Sequence, residues 1–511
     1  MAKSPPATAT AQVFQSEPAT HSTPPSSSTD GFFQTPPKLE NSFYEDAAYR
    51  RIFSFYLPES VQIAVTPDLS RFGSLVLQPS TLAWTADAER NPPYLRAFDT
   101  WGRRSNTLIT SEGWRKLQDL GIAEGIVAIG YENQFGAYSR LYQFLKYHLW
   151  AATSAGVTCP SAMQDGAARL LAVQLARKDI QLGETERRVF ETAYQHLTSR
   201  NPECAWTSGQ WMTERAGGSD VRNTETQATF APLFTEGSSI LDTDGLPLGP
   251  WSISGFKWFS SATDSQMTIL LAKTPSGALS AFLAPMRRQL PTPPKTELNG
   301  LTIQRLKPKL GTRPVPTAEL VLTNTRAYLL GNPGQGVKTI TTILNLTRIH
   351  NAVSAMGTWA RGLAVARAFA RVRRVGGGAL LVDTPAHIHS LARLHLEYRG
   401  MLQLAFFGVA LLGLAESPAD PADSPALSSV RSPAESPALL LLLLRLLTPL
   451  AKALTARAAI AGLAECMEAL GGVGYLENED PEWNVARLFR DANVLSIWEG
   501  TTDVMAADVV R

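Results

Sequence analysis

Cysteine is scarce in this chain: Cys159, Cys204 and Cys466 are all that 511 residues hold, and they lie far apart. Scattered thiols support neither a disulfide framework nor a clustered metal motif, so no metal site is expected and a reducing, intracellular compartment fits best. Charge of one sign is also lacking. With 47 basic residues against 45 acidic, the net charge of +2 builds no field to attract nucleic acid or an anionic membrane. Apolar runs are short as well: residues 400–415 are uncharged, and 439–447 are leucine apart from Arg445. Both fall below the about 20 apolar residues that a spanning helix needs, and they read as buried helices of a bundle with no membrane partner.

Several chemistries are excluded by missing motifs. No G-x-x-x-x-G-K-[ST] occurs, and Gly472 and Gly474 lack the third glycine of a dinucleotide fingerprint. No G-x-S-x-G marks a hydrolase nucleophile elbow. His387 and His389 are two apart, which on a helix sends them to different sides, and no H-E-x-x-H or cysteine pair accompanies them. Residues 1–40 are rich in Pro, Ser, Thr and Ala with no apolar run, which predicts a disordered tail. That tail has neither the apolar core of a secretory signal nor an Arg-rich amphipathic transit helix, and the terminal Val-Val-Arg is no peroxisomal address. A cytoplasmic location is expected, with peroxisome and mitochondrion left open.

What is present divides the chain by texture. Residues 41–205 carry apolar residues at helical spacing, as in 138–152 and 167–176, and predict an N-terminal helical domain. Residues 206–330 change to short β-prone runs, such as 251–253, 267–271 and 319–322, divided by Gly, Pro and Asp turns. A compact β domain follows from that change. From 331 to 511 the helical period returns in long segments, 338–374, 384–414 and 438–470, as in an antiparallel four-helix bundle. Residues 416–438 interrupt it with repeated Ser-Pro-Ala and Pro-Ala-Asp units, read as a floppy surface insertion. The fold class is therefore α+β, mostly α.

Three segments carry candidate chemistry. In 495–504, Glu499 is flanked by Ile497, Trp498 and Gly500, an apolar setting that would strip its water and tune it as a base. In 211–221, Thr213 and Ser219 bracket Gly217 and Gly218. Such a loop lets backbone N–H groups approach a flat ring or a phosphate. In 255–261, Trp258 and Phe259 stand beside Ser260 and Ser261 on an expected strand, where alternate residues face alternate sides and one face could stack on a planar cofactor.

Together these segments resemble the acyl-CoA dehydrogenase family, whose order of helical, β and four-helix parts matches the organisation above. The resemblance runs through Thr213, Glu214 and 217–221; Gly255 and Lys257; 309–313; 471–475; Arg490 and Asp491; and 498–501. Within the family, 91–93, Cys159 with Pro160, 212–214, 257–259 and 305–311 look like the AidB-like branch. The resemblance implies FAD, with Met212, Thr213, Gly218 and Ser219 at its isoalloxazine and pyrophosphate, Phe259 and Ser261 facing the flavin, and Gly500 and Thr501 touching it. It implies that a neighbouring subunit completes the site through Arg373, Gly471 and Gly472, hence a homotetramer or homodimer. Glu499 matches the base that takes the α-proton of an acyl-CoA or other acyl thioester while a hydride leaves to flavin N5. Electron-transfer flavoprotein or another acceptor would then collect the electrons.

Three positions depart from the family pattern: Gly376 stands where the family has Phe before Gly377, Glu468 where many members have Gln, and Ala262 replaces an Asn. The AidB-like branch is associated with DNA binding through a basic segment after the bundle, and none follows here, so nucleic acid is not an expected partner. Two competing readings keep the flavin. One is a protective or nucleic-acid-binding flavoprotein with little dehydrogenase activity. The other is flavin-dependent oxidation of a carrier-bound acyl chain or a nitroalkane.

Overall fold

The computed structural model describes residues 35–233, 240–290, 295–417, 437–477 and 480–510. Residues 1–34 of the expected tail and 418–436 of the expected insertion therefore lie outside the described residues. The chain opens with helices α1 (Ala47–Tyr56), α2 (Glu59–Leu75) and α3 (Pro79–Arg90), a hairpin of β1 (Tyr94–Phe98) and β2 (Arg104–Ile109), and then α4 (Glu112–Ala123), α5 (Tyr138–Ala151), α6 (Thr158–Ala176) and α7 (Glu184–Leu197). The hairpin is a β element within a region read as a helical domain. β1 alternates exposed and half-buried residues and β2 is half-buried after its first residue, with no fully buried face, so the sequence carries no strong apolar period of two.

The strands β3 (Ser208–Trp211), β4 (Gln227–Phe230), β5 (Trp251–Ser261), β6 (Met267–Lys273), β7 (Leu279–Pro285), β8 (Arg287–Gln289), β9 (Thr296–Leu298), β10 (Leu301–Leu306) and β11 (Thr317–Leu330) follow. Pairing runs β5 to β4, β4 to β6, β6 to β7, β7 to β11 and β11 back to β5, which closes a small barrel. Closure removes the free edges that an open sheet would leave. Ile253, Leu270, Phe282, Leu320 and Leu322 fill its interior.

Three long helices form the rest: α8 (Gly336–Ala370), α9 (Pro385–Glu416) and α10 (Pro437–Ala469), followed by α11 (Val485–Ala492) and α12 (Thr502–Val510). Thr448 reaches Asn345, and Gly362 lies against Cys466. These contacts advance together along both helices, so α8 and α10 run parallel.

Length and apolarity alone would let α9 and α10 cross a bilayer. Residues of α9 between Leu402 and Leu414 pack mainly inside the bundle, whereas Leu441 and Leu442 of α10 are 59% and 60% exposed. The leucine-rich start of α10 is thus a half-exposed face, which corrects its reading as a wholly buried helix. It runs along the outside of the bundle, where one face finds no neighbour among the described residues.

Candidate active site

Lys257 on β5 is fully buried, and its ammonium meets Glu214 at 2.6 Å and the Leu271 carbonyl at 2.7 Å. Glu214 also accepts from the Thr226 hydroxyl and the Glu225 N–H, each at 2.6 Å. Burial pushes the Glu214 carboxyl up, but Lys257 and these hydrogen bonds more than offset it and hold the group below the usual carboxylate range. A buried ion pair satisfied this completely pins the loop at 213–219 to the barrel wall. The motif residues Glu214 and Lys257 are thereby structural anchors, a role the sequence reading did not assign.

Between Lys257 and Ser260 the pairing of β5 with β11 slips: Lys257 faces Leu320, and Ser260 faces Ala318. The extra residue on β5 is a bulge, and it breaks the strict alternation expected of this strand. Lys257 and Ser260 both turn inward, while Phe259 is left 48% exposed. The Trp258 N–H, freed from the ladder, donates to the Thr213 carbonyl at 2.9 Å and joins the bulge to the glycine loop. Lys307 lies over the Trp258 ring at 3.1 Å from its centre and over the Phe259 ring at 4.6 Å, a cation–π contact that the two edge-on rings share.

Thr213 is half-buried, and Gly218 and Ser219 are exposed. A Cβ on Gly218 would meet the Thr213 hydroxyl at 3.0 Å, so glycine keeps that hydroxyl clear. Met212 is buried in the core shared by the barrel with α6 and α7. Ser261 is half-buried and bonds Thr317 at 3.0 Å. Ala262 adopts φ +53°, a left-handed conformation that the Asn it replaces tolerates better.

The segments at 309–313 and 490–491, separate in sequence, meet directly. Thr312 N–H donates to Asp491 at 2.6 Å, Arg490 donates to the Leu310 carbonyl at 3.0 Å, and Arg313 bonds Glu477 at 3.2 Å. A Cβ on Gly311 would sit 2.4 Å from the Arg490 carbonyl oxygen. Only glycine permits that approach, and the contact seats α11 on the barrel domain.

Glu499 follows α11 in a turn before α12. It takes φ +58°, and Gly500 takes +108°. Its carboxylate accepts a hydrogen bond from Thr347 of α8, Asn351 one turn on donates to the Leu495 carbonyl at 3.1 Å, and Arg348 pairs with Asp508 at 2.7 Å. Residues four apart share a helix face, so one stretch of α8 grips both ends of the base-bearing segment.

Burial raises the Glu499 pKa; the Thr347 bond and the charges of Arg348 and Lys452 oppose the rise without cancelling it. The expected neighbours differ in their part. Ile497 is 61% exposed and does not shield the carboxylate, whereas Trp498 is half-buried and packs against the bundle core beside it. Gly500 is half-buried and Thr501 exposed.

Arg373, Gly471 and Gly472 are not brought to this turn. Arg373 lies just past the end of α8, and Gly471 and Gly472 just past the end of α10. Between Lys452, which bonds Gly500, and Ala469 the helix climbs about 25 Å at roughly 1.5 Å per residue. Because α8 and α10 are parallel, these three residues gather at the other end of the bundle.

One turn beyond Thr347, His350 bonds Asp165 at 2.7 Å, and Asp165 also accepts from Tyr131 at 2.6 Å and Arg140 at 2.9 Å. Arg140 reaches Glu416 at 2.6 Å. This buried network fixes α8 against α5 and α6, and no spacing of residue types along the chain marks it. Among the described residues, no group of His, Cys, Asp and Glu is placed to hold a metal ion.

Comparison with known proteins agrees along the chain. Residues 34–196 match the adaptive response protein AidB N-terminal domain, 209–325 the acyl-CoA dehydrogenase middle domain, and 334–511 the acyl-CoA dehydrogenase C-terminal domain. Acyl-CoA dehydrogenase family member 11 of Caenorhabditis elegans is 36% identical over 496 residues, covering 94% of this chain and 72% of that protein. The solved structure of Caenorhabditis elegans ACDH-11 in complex with C11-CoA superposes with a TM-score of 0.80 at 35% identity, covering 94% of this chain and 75% of that one. The apo form of Bd2924 gives a TM-score of 0.80 at 40% identity, covering 94% and 87%.

Proposed function

Because the chain belongs to the acyl-CoA dehydrogenase family, in its AidB-like branch, we propose that it oxidises an acyl-CoA between the α and β carbons with Glu499 as the base. The observation that carries this reading is Glu499 itself, a carboxylate held by Thr347 at 2.6 Å in a protein-lined turn that raises its pKa. An α-proton next to a thioester is a weak acid, and a carboxylate with less water around it is a stronger base toward it. The Glu499 N–H has no backbone acceptor among the described residues, which leaves a donor for the thioester oxygen as charge develops there.

The glycine loop and the bulged strand fit a flat cofactor with an anionic tail. An exposed ring at Phe259, the Thr213 hydroxyl that Gly218 leaves uncovered, and exposed Ser219 supply stacking and hydrogen bonds from one side of the barrel. The residues that would hold FAD are Thr213, Gly218, Ser219, Phe259 and Ser261, with Gly500 and Thr501, and FAD would supply the hydride acceptor. Arg373, Gly471 and Gly472, remote from Glu499 in one chain, would serve a neighbouring copy, which makes a homodimer or homotetramer the working assembly. Electron-transfer flavoprotein or another acceptor is the expected redox partner. The relative solved with C11-CoA supports an acyl-CoA rather than a nitroalkane as substrate.

Anaerobic titration of the purified yellow protein with acyl-CoAs of graded length tests the proposal. At least one should bleach the flavin absorbance, and Glu499→Gln should keep its flavin and fail to bleach. Full turnover by that variant would sink the assignment.

A further inference from the structure

Lys452 is fully buried on α10, within a helix that is otherwise apolar over most of its length. A buried ammonium is costly unless it is paired or hydrogen-bonded, and this one donates to the carbonyl oxygen of Gly500. That carbonyl belongs to the turn in which Glu499 and Gly500 take consecutive positive φ values, +58° and +108°. A left-handed non-glycine residue is strained and persists only where its surroundings hold it. The charged groups around the ammonium are Glu499 and Arg348, the latter paired with Asp508.

We infer that Lys452 is a positioning residue for Glu499: its ammonium holds the Gly500 carbonyl and thereby the strained turn that aims the base. The inference rests on Glu499 being the base. Thr347 fixes the carboxylate end of Glu499 and Lys452 fixes its backbone end, so the side chain is held at both ends by helices that run parallel in the bundle. The positive charge of Lys452 also favours the ionised Glu499 that a proton abstraction needs, and Glu499 favours the charged Lys452 in return. Burial and Arg348 work against that charge and pull the Lys452 pKa down to about 8. A hydrogen bond without charge would hold the turn; the charge adds the bias toward carboxylate.

Lys452→Met removes both, and Lys452→Gln keeps an amide donor while removing charge. Hydrogen exchange of the peptide spanning 495–505, read by mass spectrometry, reports the turn independently of catalysis. Lys452→Met should exchange there about 10-fold faster or more and reduce the flavin about 10- to 100-fold more slowly, the loss expected for a charge-assisted hydrogen bond, at nearly unchanged KM. Its melting temperature should fall, because the buried Gly500 carbonyl loses its donor, so the exchange at 495–505 is compared with that of peptides elsewhere in the same variant. Lys452→Gln should fall between Lys452→Met and the parent protein, and it carries the comparison should the Met variant not fold. Parent-like exchange and reduction rates in whichever variant folds overturn the inference. Bleaching by Glu499→Gln would instead overturn the assignment of the base.

Discussion

Thr347 donates a 2.6 Å hydrogen bond to Glu499 across 152 residues of sequence. The bond stabilises the ionised carboxylate and so works against the rise that burial imposes. Thr347→Val removes it and should raise the Glu499 pKa further. A base must be deprotonated to act, so activity is lost as pH falls through that pKa, and the acid limb of the rate of flavin reduction should move to higher pH. An acid limb that stays in place would show that this hydroxyl does not tune the base.

Lys257→Met leaves the Glu214 carboxylate buried without its ammonium. Breaking a buried pair on one side costs about 3–5 kcal/mol, and the damage falls on the loop at 213–219. The variant should lose that much stability in chemical denaturation and should purify with depleted flavin. Adding Glu214→Gln removes the unpaired charge and should recover part of the stability.

Gly311→Ala places a Cβ 2.4 Å from the Arg490 carbonyl oxygen. Backbone cannot yield as a flexible side chain would, so α11 must move away from the barrel domain, at a cost of about 1–3 kcal/mol. Thermal unfolding should register the loss, and the Thr312 amide should exchange faster because its bond to Asp491 is stretched.

The network at Asp165 gives stability a defined dependence on pH. Burial lowers the His350 pKa despite Asp165 beside it, so His350 is neutral when folded and binds a proton more readily when unfolded. Stability therefore falls as pH drops below about 6.5, the ordinary histidine value. Asp165 is itself held well below the usual carboxylate range: burial pushes it up, and Arg140, His350 and Tyr131 more than reverse this. Its contribution is present above about pH 4 and is lost on further acidification. Melting temperature measured against pH should decline in both windows, and His350→Gln should flatten the upper one.

The long helices and the barrel strands were legible as sustained apolar segments, buried nearly all round in α8, β6 and β7. The hairpin β1–β2 was not, since neither strand buries a residue fully. The glycine loop and Glu499 stood out by residue type, yet Phe259 owes its exposure to a bulge, a matter of register between β5 and β11 that one strand's sequence does not carry. Lys452 left one faint mark, a lone lysine inside a leucine- and alanine-rich helix. Its partner is a backbone carbonyl, and a carbonyl has no residue type to recognise.

Asp491, Leu495 and Glu499 bind surfaces supplied by residues 312, 351 and 347. Every one of those surfaces leaves the ribosome first. The carboxylate consequently docks into a receptor that earlier synthesis has already laid down, and a chain stalled before residue 491 could fold most of its helices and its barrel without ever assembling a reactive centre. Such long-range closure is slow relative to local helix formation, so activity should appear after compactness during refolding, as the last property the molecule acquires.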